Sequence, residues 1–95
     1  STTAYSGGTM TEAEALAEIR GLASAGRVEF TDHAREEMEQ AGAVFLDVMN
    51  ALRKATSARH QPKNDRWKVQ GPDRSGEKLT VVVVLEDGIL VVTVW

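Results

Sequence analysis

The 95-residue chain is long enough for one domain with a single modest core. It has no cysteine, which excludes disulfides and thiolate metal sites and makes a reducing cytoplasm the expected compartment. The longest apolar run, residues 81–85, is far too short to span a membrane. A net charge of −3 conceals a segregation: residues 11–52 carry nine acids against Arg20, Arg27 and Arg35, whereas residues 53–78 carry eight bases against Asp65, Asp73 and Glu77. An acidic chain with one basic segment still binds a polyanion locally, because exposed charges act over a Debye length, about 8 Å at physiological salt.

The opening residues 1–9, STTAYSGGT, have neither charge nor periodicity and are too polar for a secretory signal. They read as a vector remnant or disordered arm, followed by one domain over residues 10–95. Thr11 and Glu14 form a capping box that starts a first helix, with Leu16, Ile19, Leu22 and Ala23 on one face and Gly26 as its stop. Val28, Glu29 and Phe30 make a short strand or extended linker. Thr31 or Asp32 caps a second helix with His33 in its first turn, Ala34, Met38 and Ala41 inward, and Glu36, Glu37 and Glu39 outward. Gly42 ends it. Asp47 lies early in a third helix that buries Val44, Val48, Ala51, Leu52 and Ala55, with Phe45 and Met49 beside them.

From Thr56 the period changes. Ala58, Arg59 and His60 suit a strand, residues 61–65 a turn, and residues 66–70 alternate, with Trp67 and Val69 on one side and Arg66, Lys68 and Gln70 on the other. Residues 71–76, rich in glycine, read as a mobile loop. The final stretch, LTVVVVLEDGILVVTVW, places Asp87-Gly88 between two β-branched runs, the signature of a hairpin with a two-residue type I′ turn. That turn pairs Glu86 with Ile89, Val84 with Val91, Val82 with Thr93 and Thr80 with Trp95. One face then carries Leu79, Val81, Val83, Leu85, Leu90, Val92 and Val94, and the other Thr80, Val82, Val84, Glu86, Ile89, Val91, Thr93 and Trp95. The fold class is therefore α+β: N-terminal helices packed on one face of an antiparallel meander whose other face is basic.

A basic sheet face with hydroxyls and histidines suits cleavage of an RNA phosphodiester. That reaction needs a base for the 2′-hydroxyl, an acid for the 5′-oxygen and cations around the phosphorane. The candidates for catalysis are His33 and His60 for proton transfer, and Arg66 and Lys68 for charge. Arg59, Gln70, Arg74, Lys78, Thr80 and Thr93 are the candidates for holding substrate. Each has a plainer alternative: a histidine in a first helical turn caps or packs, and alternating cations form a solvated strand face. Two histidines without cysteine or a clustered acid give no expectation of a metal, and without a phosphate-cradling glycine loop no cofactor is expected either.

The segment LAEIRGLASAGRVEFTDHAREEMEQAGAVFLDVMNAL, followed by RWKVQGP and KLTVVVVLEDGILVVTVW, resembles the small toxin-like family related to MqsR, the RelE-superfamily ribonuclease of bacterial toxin–antitoxin pairs. The most specific elements are the ASAGRVEFTDHA junction, the RWKVQGP strand and the closing VVTVW. His33-Ala34 and Arg66-Trp67 match pairs that recur in a sister group. The resemblance implies a RelE-like sheet, mRNA cleavage without a metal, and a cognate antitoxin protein as partner. The tyrosine that MqsR-type proteins place at the site has no counterpart: Leu79 and Thr80 stand near that point, and Tyr5 lies in the opening segment. The competing expectation is a non-catalytic binding module or degenerate toxin fold, with the acidic helices on one partner and the basic strand on another. The two differ in whether His33 or His60 comes within reach of the basic row.

Overall fold

The computed structural model describes residues 11–63 and 65–95. The opening segment, residues 1–9, and Met10 lie outside them. The Thr11 hydroxyl accepts from the Glu14 N–H while the Glu14 carboxylate accepts from the Thr11 N–H, and this capping box starts α1 (Glu12–Ser24). The chain reverses into β1 (Val28–Phe30). The Thr31 hydroxyl then accepts from the Ala34 N–H to start α2 (Asp32–Ala41), which ends on Gly42 at a φ of 72°. The helix α3 (Phe45–Arg53) begins where the Asp47 carboxylate accepts from the Val44 N–H. Four strands follow: β2 (Ser57–Gln61), β3 (Arg66–Pro72), β4 (Lys78–Leu85) and β5 (Ile89–Val94).

The sheet is mixed, in the order β1-β5-β4-β3-β2. The meander from β2 to β5 is antiparallel as expected, and β1 joins it as a fifth, parallel strand along β5. The three helices precede that meander and cover one face. Ala15, Ile19 and Ala23 of α1, Ala34 and Met38 of α2, and Val48, Ala51 and Leu52 of α3 are buried against Ala58, Trp67, Val69, Leu79, Val81, Val83, Ile89, Val91 and Val94. Val44 and Ala41, expected inside, are exposed. Val44, Phe45 and Leu46 together form an apolar surface at the start of α3.

The hairpin departs from its expected register in the half nearer the turn. Val82 pairs with Thr93, and Thr80 exchanges both backbone hydrogen bonds with Trp95, as the two-residue turn requires. Beyond them a bulge leaves Val92 without a partner, so that Val83 pairs with Val91, Val84 with Leu90 and Leu85 with Ile89. Ile89 and Val91 therefore face the core, and Leu90 stands on the other side. Pairing Leu85 with Ile89 leaves three residues in the loop, and neither Asp87 nor Gly88 has a positive φ. The loop is shaped by a distant segment. The Arg27 guanidinium donates to the Asp87 carbonyl, the Ile89 N–H donates to the Arg27 carbonyl at 2.9 Å, and a Cβ on Gly88 would stand 2.9 Å from that carbonyl oxygen.

The glycine-rich segment expected to be mobile is tied down. Gly71 and Pro72 belong to β3, and the Asn50 amide donates to the carbonyls of Pro72 and Asp73 at 3.1 and 3.2 Å. The Asp73 carboxylate accepts from the N–H groups of Ser75 and Glu77, and Arg74 pairs with Asp47 of α3 at 3.2 Å. The Val44 N–H, and after it the backbone and guanidinium of Arg74, hold the Asp47 carboxyl below its ordinary pKa of 3.8.

Candidate nucleic-acid interface

Strand alternation decides what the uncovered face presents. On β3, Trp67, Val69 and Gly71 point into the core, so Arg66, Lys68 and Gln70 point away from it. The ladder extends this choice across the sheet. Arg59 pairs with Lys68, Lys68 with Val82 and Val82 with Thr93, forming a row that spans three strand intervals, about 14 Å. The adjacent row runs from Ser57 through Gln70 and Thr80 to Trp95, with the Gln70 amide 3.5 Å from the Thr80 hydroxyl. Arg66, opposite Gln61, and Lys78, opposite Pro72, flank the two rows.

The charged side chains of β2, β3 and β4 are all cations, since these strands contain no Asp or Glu at any position. Arg59, Arg66, Lys68 and Lys78 have no carboxylate within ion-pairing distance among the described residues. Lys68 has an aromatic neighbour instead: its Nζ lies over the Trp95 ring, 5.8 Å from the centroid. Glu29, beside Leu90 on β1, is a carboxylate on this side of the sheet, at the opposite edge. Concave regions lie away from these rows, one between Arg27–Glu29 and the β4–β5 loop and another around Phe30, Met38 and Phe45.

The two histidines occupy different surroundings. His60 shares the parity of Ala58 and pairs with Trp67, so it turns to the helix-covered side of the sheet. There its ring packs on Trp67 with centroids 4.8 Å apart, and its Nε2 lies 3.0 Å from Asp65 Oδ1. It does not join the basic rows. His33 stands at the other edge. The Thr31 N–H donates to the Val91 carbonyl, which anchors the start of α2 on β5 just past the end of β1. One turn on, Glu37 Oε1 accepts from the Val94 N–H at 3.2 Å while its Oε2 lies 3.3 Å from His33 Nε2. Glu37, expected to face solvent, therefore closes the open edge of β5 and holds the imidazole.

Of the ten expected site residues, Arg59, Arg66, Lys68, Gln70, Lys78, Thr80 and Thr93 come together on one face. His33 lies on α2 outside its β5 border, and β5 is itself two strand intervals, about 10 Å, from β3. His60 and Arg74 are elsewhere, the latter held against Asp47 at the start of α3. Two further residues adjoin this face. Trp95 had a signal in its parity with Thr93, and Glu37 in its helical i,i+4 spacing from His33. Among the described residues no group of three or more His, Asp or Glu gathers where it could hold a metal ion. No described helix is long and apolar enough to cross a membrane.

Residues 30–95 match the model of a domain of unknown function, DUF4258. The chain belongs to this family. The DUF4258 match takes in α2, α3 and strands β2 to β5, and with them the basic rows, His33, Glu37 and Trp95, while α1 falls outside it. A comparison with curated proteins found no match for the chain.

Proposed function

We propose that the open sheet face binds RNA and that the domain cleaves it without a metal, as the toxin of a bacterial toxin–antitoxin pair. One observation carries the RNA-binding part: four cations with no carboxylate within ion-pairing distance among the described residues share a sheet face with Gln70, Thr93 and an exposed indole. Such a face neutralises phosphates, and binding to it releases the counterions condensed on the polyanion. The toxin context rests on the resemblance to MqsR-related and RelE-like ribonucleases, and a cognate antitoxin is the protein partner that context supplies.

For cleavage, His33 is the proton acceptor. With Glu37 Oε2 3.3 Å from Nε2, the tautomer that carries its proton on Nε2 leaves Nδ1 to take the proton of a 2′-hydroxyl. The 2′-oxygen attacks phosphorus, the P–O5′ bond breaks, and the leaving oxygen takes a proton from solvent. Lys68 and Arg66 hold the non-bridging oxygens as charge builds on them. Two placements favour a second reading, a non-catalytic RNA-binding module: His60 is on the covered side, and His33 is outside β5, itself two strands from Lys68.

Incubating the purified domain with single-stranded RNA in a chelating buffer separates the two. Cleavage that leaves 2′,3′-cyclic phosphate ends, and that is lost in His33→Ala while binding and the cooperative melt persist, supports the nuclease. Salt-sensitive binding with no cleavage leaves the binding module.

A further inference from the structure

Trp95 is the exposed aromatic residue of the basic face. It keeps 54% of its surface accessible, whereas Trp67, on the covered side, keeps 4%. Its position is fixed by the main chain: the Thr80 N–H donates to the Trp95 carbonyl at 2.8 Å, and the Trp95 N–H donates to the Thr80 carbonyl at 2.9 Å. This pair continues the β4–β5 ladder by one residue beyond Val94, so the indole follows Thr93 on the open face. The ammonium of Lys68, two strands away, reaches over the ring.

We infer that Trp95 is a stacking platform for an unpaired base, so that the basic face selects single-stranded over duplex RNA; this rests on the RNA-binding reading of that face. A nucleotide presents a flat π-surface a few ångströms from an anionic phosphate. Trp95 and Lys68 present the complementary pair, an accessible indole beside a cation. In a duplex the base faces are stacked on one another and only the phosphates are within reach, so the cations alone would be engaged. Stacking tolerates any base, because each has a π-face, so the platform confers strand selectivity without sequence selectivity. The charge complementarity is that of the rows themselves, since Arg59, Arg66 and Lys68 lie along neighbouring positions on which a backbone can be tracked.

The test uses a short 2′-O-methyl oligouridine, which lacks the 2′-hydroxyl needed for cleavage, together with a duplex of equal length and tripolyphosphate. The oligouridine quenches the exposed fraction of tryptophan fluorescence, whereas the duplex and tripolyphosphate leave it unchanged. Trp95→Ala weakens binding of the single strand by roughly tenfold or more, with the slope of log affinity against log salt unchanged. Trp95→Phe retains most of the affinity and loses the signal, which also separates stacking from any folding defect of the alanine variant. A Trp95→Phe and Trp95→Ala pair that both bind like the parent overturns the stacking role while leaving RNA binding in place. Equal quenching by tripolyphosphate does the same. A parent protein that binds neither strand overturns both proposals.

Discussion

The seat of α3 on the sheet makes Gly71→Ala the most informative single change to the fold. Gly71 lies on the core face of β3 where α3 crosses it. A Cβ built there falls onto the Ala51 carbonyl oxygen and 3.0 Å from Ala55 Cα. Both obstacles are backbone, so no side chain can turn away to make room. Nor is α3 able to slide. The Arg20 guanidinium donates to the Ala55 carbonyl at 2.9 and 2.5 Å, and Asn50 is bonded to the carbonyls of Pro72 and Asp73. The helix must lift, loosening Ala51 and Leu52, which are fully buried. Overpacking of this kind costs about 1–3 kcal/mol, and the backbone clash argues for the upper end. For a domain of this size that is a fall in Tm of roughly 5–20 °C. Gly21→Ala is the matched control, because it sits in α1 with nothing within 4 Å of the added methyl. There the change should raise stability by about 0.5–1 kcal/mol, through helix propensity. Thermal melts followed by circular dichroism read both. A Gly71→Ala protein melting with the parent, or both variants shifting alike, would refute the close seat of α3.

Three further outcomes follow from the same geometry. Val83→Ala, at a fully buried position between Trp67 and Val91, should cost roughly 1–3 kcal/mol in chemical denaturation, and an unchanged midpoint would contradict its place in the core. The Asp47 carboxyl titrates lower in the folded protein than in the unfolded chain. Its contribution to stability is therefore complete above 3.8 and lost as pH falls through its lowered folded value. Asp47→Asn should accordingly show a smaller loss of Tm over that acid range than the parent, and parallel pH profiles would remove Asp47 as a contributor. His33→Ala should abolish RNA cleavage while leaving the melt almost unchanged, because the imidazole is 63% exposed and pairs only across the surface with Glu37, one turn on. A destabilised variant would make it a packing residue.

Local chemistry was the most legible part of the chain. The capping box at Thr11, the Thr31 cap, the Gly42 stop and the alternation of Arg66, Lys68 and Gln70 all involve neighbours within a few residues, and the structure agrees with each. The hairpin was legible only where polar residues marked its faces, at Thr80, Thr93 and Trp95. Nearer the turn both strands are apolar at every position, so a slip of one residue left no polar group in the wrong place to betray it. The bulge at Val92 accompanies pairing of β5 with β1 and bonds from the loop to Arg27, both distant in sequence. His60 illustrates the consequence for the site. Its parity with Ala58 was visible, but which parity faced inward depended on the β2–β3 register. The outward position assigned to Glu37 failed for a similar reason: its partner is a backbone N–H of β5, which carries no sequence signature.

Binding of RNA through the cations of the open face is tested most directly by its dependence on salt. Affinity for a single-stranded oligonucleotide, measured by fluorescence anisotropy across a salt series, is compared between the parent and the Arg66→Gln, Lys68→Gln double variant. If both side chains neutralise phosphates, the variant binds more weakly at every salt concentration and its log–log slope is shallower by about 1.4, since each lost contact on a single strand removes about 0.7. Its melting temperature should stay close to the parent's, because neither half-buried side chain has a carboxylate partner to lose among the described residues. Equal affinities and parallel slopes would contradict the claim and leave Arg66 and Lys68 as a solvated strand face.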